Sequence, residues 1–364
     1  MSTFDPDTVV RPDIAAMEPY EPIVPFEVLS ERLGRPAAEI VKLDANENVY
    51  GPSPGARAAL AEAGTLHIYP DPEANALRDA LAQYTGVSRE RLLAGAGADE
   101  LIDLVLRAIL EPGDGVLNCP PSFGMYPFST VVNRGKLIAV PRDPHFHPDL
   151  AGIEAAAERA RAKVIFICSP NNPDGSVLGD EALRRLLRLP LLVILDEAYV
   201  EFSGGSRITW VREHENLVVL RTFSKWAGLA GLRVGYGAFP EWLMPHLWKI
   251  KQPYNVNVAA EVAARASLAE RAWLEKKIAA IVAERERLER RLGNFTFLRP
   301  FPSRSNFVLC RVRGRDAREL KRALELEGIL VRYFAKPGLD NCIRISAGRP
   351  ADTDRLLATL ERLA

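Results

Sequence analysis

Between residues 91 and 239, short runs of consecutive apolar residues, rich in Val, Ile and Leu, recur between stretches whose apolar positions follow helical spacing. The runs fall at 91–95, 115–119, 136–140, 163–168, 191–195, 217–221 and 233–239. Runs without polar alternation suit strands buried on both faces. Their alternation with helical stretches predicts an α/β fold, a large mostly parallel central sheet covered by helices. Polar clusters stand just past the C-terminal ends of the runs: Gly97-Ala98-Asp99, Pro121-Ser122-Phe123, Asn171-Asn172-Pro173, Asp196-Glu197-Ala198-Tyr199 and Thr222-Phe223-Ser224-Lys225. Open α/β sheets bind their ligands at that edge.

The pattern changes after Gln252-Pro253-Tyr254-Asn255. An Ala/Glu/Arg-rich stretch to residue 291 predicts one or two long helices. A strand at 306–312, a helix at 316–327, strands at 329–334 and 342–347 and a helix at 351–363 then form a small α+β unit. At 364 residues the chain exceeds what one core usually serves. The expected division is an N-terminal arm, 1–43, packing with the small unit; a large domain, 44–255; and a small C-terminal domain with a long linking helix, 256–364.

Charge narrows the partners. The 47 basic and 47 acidic residues cancel, with no long run of either sign, which argues against nucleic acid and anionic membranes. Local positive charge is then for small anions. Cys119, Cys168, Cys310 and Cys342 are far apart and form no CxxC pair, so neither a disulfide framework nor a metal site is expected. They read as buried thiols in a reducing compartment. Residues 1–13 carry no apolar core and no later run approaches a membrane span, so a soluble, cytoplasmic protein is expected.

Lys225 stands beside hydroxyls and glycines, eight positions before Arg233. A lysine amine acts as a nucleophile when desolvation or nearby positive charge lowers its pKa, and it then suits a Schiff base with an aldehyde cofactor. Thr222, Ser224 and Arg233 add donors and charge for a phosphate dianion. Pyridoxal phosphate carries both groups. An exposed lysine in a polar loop is the plain alternative, so the surrounding strand ends decide.

Asp196 ends the apolar run 191–195, where a shielded carboxylate needs a cation such as a protonated pyridine nitrogen; a helix cap is the other reading. Tyr199 and Asn172 are placed to donate to the cofactor's phenolic oxygen, although Asn172 also lies in a plain turn. Gly95-Ala96-Gly97-Ala98-Asp99-Glu100 opens a helix and offers N–H groups to a phosphate, with Asp99 and Glu100 expected to answer the helix dipole themselves. It is not GxGxxG, so a dinucleotide site is rejected. Phe123 either stacks on the pyridine ring or joins the core. Arg344, flanked by apolar residues, is either a surface strand residue or a fork for a carboxylate or phosphate, with Arg332 on the preceding strand as a second contact.

In this order, Gly97-Ala98-Asp99, Asn172-Pro173, Asp196 with Tyr199, Ser224-Lys225, Arg233 and Arg344 resemble the fold-type I pyridoxal-phosphate aminotransferases of the aspartate aminotransferase superfamily over nearly the whole chain. Pro19-Tyr20, Leu43-Asp44-Ala45-Asn46-Glu47-Asn48, Tyr69-Pro70-Asp71 and Phe123-Gly124-Met125-Tyr126 bring it nearest to the histidinol-phosphate aminotransferase branch. The resemblance makes Lys225 the Schiff-base lysine and proton shuttle, Asp196 the pyridinium partner, and Asn172 and Tyr199 the phenolate donors. Ala98, Asp99, Thr222, Ser224 and Arg233 would form the phosphate cup. Tyr69 would reach the cofactor phosphate of a neighbouring subunit, implying a homodimer with shared sites. Arg344, helped by Tyr20 and Arg332, would hold the amino donor's carboxylate or a substrate phosphate. Relatives of the same shape transaminate aromatic amino acids or decarboxylate threonine phosphate; a regulator module would need a DNA-binding extension that the short N-terminus does not offer. Two departures stand out: Phe123 replaces a tyrosine common at the stacking position, and Asp174 replaces the usual threonine of Asn-Pro-Thr-Gly.

Overall fold

The computed structural model describes residues 4–5, 9–19 and 24–364. Twelve strands follow in chain order among them: β1 (Val41–Leu43), β2 (Leu92–Gly95), β3 (Gly115–Asn118), β4 (Lys136–Ala139), β5 (Val164–Cys168), β6 (Leu192–Asp196), β7 (Leu217–Thr222), β8 (Gly235–Ala238), β9 (Leu298–Pro300), β10 (Phe307–Val312), β11 (Ile329–Tyr333) and β12 (Cys342–Ser346). β2 to β8 make one seven-stranded sheet in the order β2-β8-β7-β6-β5-β3-β4. Its neighbours are parallel except around β8, which runs antiparallel to both β2 and β7.

The buried, unalternating strands follow from where the sheet sits. Every residue of β5, β6 and β7 is buried. Side chains of successive residues leave opposite faces, so Val193 and Leu195 join one apolar cluster while Leu192 and Ile194 join another on the far side. Only edge strand β4 is largely exposed.

The five-stranded sheet has the order β1-β11-β12-β10-β9. β1 pairs in parallel with β11, Val41 opposite Ile329 and Leu43 opposite Val331. Helix Phe26–Leu33 precedes it and supplies Leu29 to a cluster with Ile40 and Leu330, whereas helix Pro12–Ala15 lies against helix Met125–Val132 of the large sheet, where Arg11 donates to the Val132 carbonyl at 3.1 Å. The Ala/Glu/Arg-rich stretch forms two helices, Val258–Ala269 and Arg271–Leu292. The second serves both cores: Leu274, Ile278 and Ile281 pack with the large sheet, Leu288 and Leu292 with the small one.

Candidate active site

β7 ends at Thr222, where the chain enters the single helical turn Phe223–Trp226. Thr222 caps that turn: its hydroxyl oxygen accepts from the Ser224 N–H at 3.1 Å, and its own O–H donates to Ser224 Oγ at 2.9 Å. Phe223 and Trp226 are sunk in the core on either side of Lys225. Lys225 itself is half-buried, its Nζ 3.4 Å from the Ala45 carbonyl oxygen and 6.0 Å from the centre of the Tyr199 ring. Burial first, and then the Arg344 guanidinium, lower its pKa to about 8 against the pull of Glu47 and Asp99. About a tenth of such an amine is free at pH 7.

The stretch Asp44-Ala45-Asn46, just after β1, takes one functional group per residue. Arg344 Nη2 donates to the Asp44 carbonyl at 2.7 Å, Lys225 Nζ to the Ala45 carbonyl, and the Asn46 side-chain amide to the Tyr199 hydroxyl at 3.0 Å. The other arm of Arg344 donates to Asn172 Oδ1 at 2.6 Å, which leaves the Asn172 NH₂ for other acceptors. The Phe307 and Phe334 rings flank the guanidinium, and Arg344 is buried. Arg332 lies directly opposite it in the β11–β12 register. Two cations on one face of a sheet suit a multiply charged anion.

Asp196, the last residue of β6, is buried with no salt bridge among the described residues. Tyr126 Oη donates to its Oδ2 at 2.6 Å and the Ala198 N–H to its Oδ1 at 2.9 Å. Burial nevertheless pushes its pKa up to about 6. Tyr126 is clamped, stacked on Phe166 at 4.6 Å and edge-on to the half-buried Phe123 at 5.6 Å.

The anion cup forms where three strands end in register: Gly95 of β2 beside Gly235 of β8 beside Thr222 of β7. Helix Ala98–Ile109 starts there behind Gly97, which sits at φ +86° and offers no side-chain cap. A Cβ at Gly97 would come within 2.7 Å of Arg233 Nη2, and one at Gly235 within 2.6 Å of the Ala98 nitrogen, so both glycines permit close approach. Asp99 pairs with Arg233 at 3.1 Å. Glu100, in the first turn with Asp99, turns its carboxylate back to the Ala96 N–H just ahead of the helix and to the Asn255 amide. First-turn N–H groups are thereby left for an anion.

The remaining expected residues fall in several places. Tyr69 is exposed and stacks on Tyr254 at 4.7 Å. Tyr20 lies outside the described residues. Asp174 is buried in the turn after Asn172-Pro173, accepting from the Ser176 N–H at 2.8 Å and from the Asn171 amide. Residue reasoning missed Tyr126 and Asn46. The signal for Asn46 was a dense Asp/Asn/Glu run straight after an apolar segment; Tyr126 gave none beyond its three-residue spacing from Phe123.

These groups fit pyridoxal phosphate. A buried carboxylate without a cation suits a protonated ring nitrogen, the uncapped helix start with Thr222, Ser224 and Arg233 suits the phosphate, and the depressed Lys225 amine suits the aldehyde. The Tyr199 hydroxyl and Asn172 amide would face the ring oxygen.

The sequence profile of the aminotransferase class I and II family matches residues 38–360. The chain is 54% identical over 357 residues to a chloroplastic histidinol-phosphate aminotransferase of Nicotiana plumbaginifolia, covering 98% of this chain and 86% of that one. It is 53% identical over 364 residues to a histidinol-phosphate aminotransferase of Roseiflexus castenholzii, covering 98% of both. The crystal structure of the Sinorhizobium meliloti histidinol-phosphate aminotransferase in complex with pyridoxal-5'-phosphate superposes with a TM-score of 0.87 at 31% identity, over the whole of both chains.

Proposed function

Since the chain belongs to the class I and II aminotransferases, within their histidinol-phosphate aminotransferase branch, we propose that it moves an amino group between L-histidinol phosphate and 2-oxoglutarate, with imidazole-acetol phosphate and L-glutamate as the reverse pair. That is a step of histidine biosynthesis, with pyridoxal 5'-phosphate as the cofactor. When bound, the cofactor supplies an aldehyde to take up the amino group and a cationic ring to withdraw electrons from the substrate carbon. The observation that carries this reading is the convergence of Arg344, Lys225 and Tyr199 on three consecutive residues, Asp44, Ala45 and Asn46.

Within that arrangement Lys225 Nζ takes and returns the proton at the substrate's α-carbon, which its lowered pKa allows near neutrality. Asp196 would hold the cofactor's ring nitrogen and favour its protonated form. Arg344 and Arg332 grip the glutamate carboxylate or the substrate phosphate in turn, so the two half-reactions share one cavity and ping-pong kinetics follow. The exposed tract Leu66-His67-Ile68-Tyr69 supports a homodimer in which Tyr69 reaches the partner's site. Four free, buried cysteines support a reducing compartment, the cytoplasm in this reading.

The test supplies purified protein with pyridoxal phosphate and glutamate and compares imidazole-acetol phosphate, phenylpyruvate and oxaloacetate as acceptors. The first should be used best, and Arg332→Ala should impair it more than phenylpyruvate. A preference for phenylpyruvate, or carbon dioxide released from threonine phosphate, would overturn the assignment in favour of the aromatic or decarboxylase reading, neither of which the similarities above favour.

A further inference from the structure

Asn46 is almost fully buried and sits at φ +56°, a backbone conformation uncommon for any residue but glycine. Each of its polar groups has a partner. Its N–H donates to Ser346 Oγ at 2.9 Å, its carbonyl accepts from the Asn306 amide at 2.9 Å, its Oδ1 accepts from the Ser346 hydroxyl at 3.0 Å, and its Nδ2 donates to Tyr199 Oη at 3.0 Å. The two bonds to Ser346 run in opposite directions. Ser346 Oγ receives the Asn46 N–H and gives its own proton to Asn46 Oδ1, and with the oxygen so engaged the carboxamide presents its NH₂ to Tyr199.

The consequence falls on Tyr199. Its oxygen accepts from Asn46, so its own proton must leave in another direction, and among the described residues no group accepts it. The ring is held edge-on by Phe307 at 5.3 Å, next in sequence to the Asn306 that holds Asn46. We propose that Asn46 is a positioning residue which sets the direction of the Tyr199 hydroxyl proton, making Tyr199 an obligatory donor to the ring oxygen of the bound cofactor. This rests on the cofactor reading given above. Ser346 lies two residues from Arg344 on β12, so the strand that anchors the substrate's anion also orients the donor on the cofactor side.

The experiment compares wild type, Asn46→Gly, Asn46→Asp, Ser346→Ala and Tyr199→Phe for pyridoxal phosphate affinity of the apo-protein and for the pH midpoint of visible absorption in the loaded protein. Asn46→Gly keeps the backbone conformation and removes the amide, which separates positioning from folding. Asn46→Asp puts an acceptor where the donor was and draws the Tyr199 proton inward. Losing the donor leaves more negative charge on the ring oxygen. Asn46→Asp should therefore weaken binding by about tenfold or more and raise the midpoint by about one pH unit, and Asn46→Gly, which frees the hydroxyl without giving its proton another acceptor, should do both to a smaller extent. Ser346→Ala should shift it the same way by less. Adding Tyr199→Phe to Asn46→Asp should cost less than about a further twofold, as expected for residues that act as one unit. Unchanged midpoints, or additive effects of the two substitutions, would overturn the proposal. Wild-type protein that binds no pyridoxal phosphate would bring down the cofactor reading itself, and the proposal with it.

Discussion

Both oxygens of the Asp196 carboxylate are engaged, one by the Tyr126 hydroxyl and one by the Ala198 N–H, yet burial still pushes its pKa from the ordinary 3.8 up to about 6. Between these two values the folded chain holds a proton that the unfolded chain has released. Stability of the apo-protein contributed by this group therefore falls as pH rises through that window, by roughly 3 kcal/mol once complete. The Asp196→Asn substitution would remove the charge and keep both contacts, because Tyr126 can accept from an amide as readily as it donates to a carboxylate. In urea unfolding, the apo form of this variant should be about 3 kcal/mol more stable than wild type at pH 7 and close to it at pH 4, while its affinity for pyridoxal phosphate falls. A stability difference independent of pH would show that Asp196 is not the group responsible.

The ends of β2, β8 and β7 meet at Gly95, Gly235 and Thr222, and the cup depends on how closely these elements approach. A methyl group on Gly235 would stand 2.6 Å from the Ala98 nitrogen, 2.8 Å from the Gly97 carbonyl carbon and 2.9 Å from the Arg221 oxygen, all of them main chain that cannot rotate away. Gly235→Ala should cost roughly 1–3 kcal/mol in chemical denaturation and weaken pyridoxal phosphate binding through the displaced helix start; unchanged affinity would place the phosphate elsewhere. Much at this level is legible in the chain. The apolar runs over residues 91–239 mark all seven strands of the large sheet to within two residues, for all but the exposed edge strand β4 because a strand buried on both faces has to be apolar throughout. β1 and β9 escape notice, since three residues show no periodicity. Lys225, Asp196, Tyr199 and Arg233 stand out because their chemistry is specific. Asn46 and Tyr126 do not, because each acts only through a partner 70 or more positions away that no local pattern announces.

Across the molecule, the proposed sharing of Tyr69 makes a site a property of two chains. Lys225→Ala and Tyr69→Ala proteins, each of low activity alone, should regain about a quarter of wild-type turnover when unfolded together and refolded, since half the dimers are mixed and each has one intact site. No recovery would mean that Tyr69 serves its own chain or none. The pairing of β1 with β11 reaches further, into the order of events during synthesis. Val41 and Leu43 leave the ribosome early, but Ile329 and Val331, against which they lie, follow roughly 290 residues later, about 15–60 s at ordinary elongation rates. For that interval the large sheet can fold on its own strands while Asp44, Ala45 and Asn46 have no edge to hang from. The reactive lysine is thus kept from its finished surroundings until translation is nearly over, and a nascent chain released early would carry a sheet without a working centre.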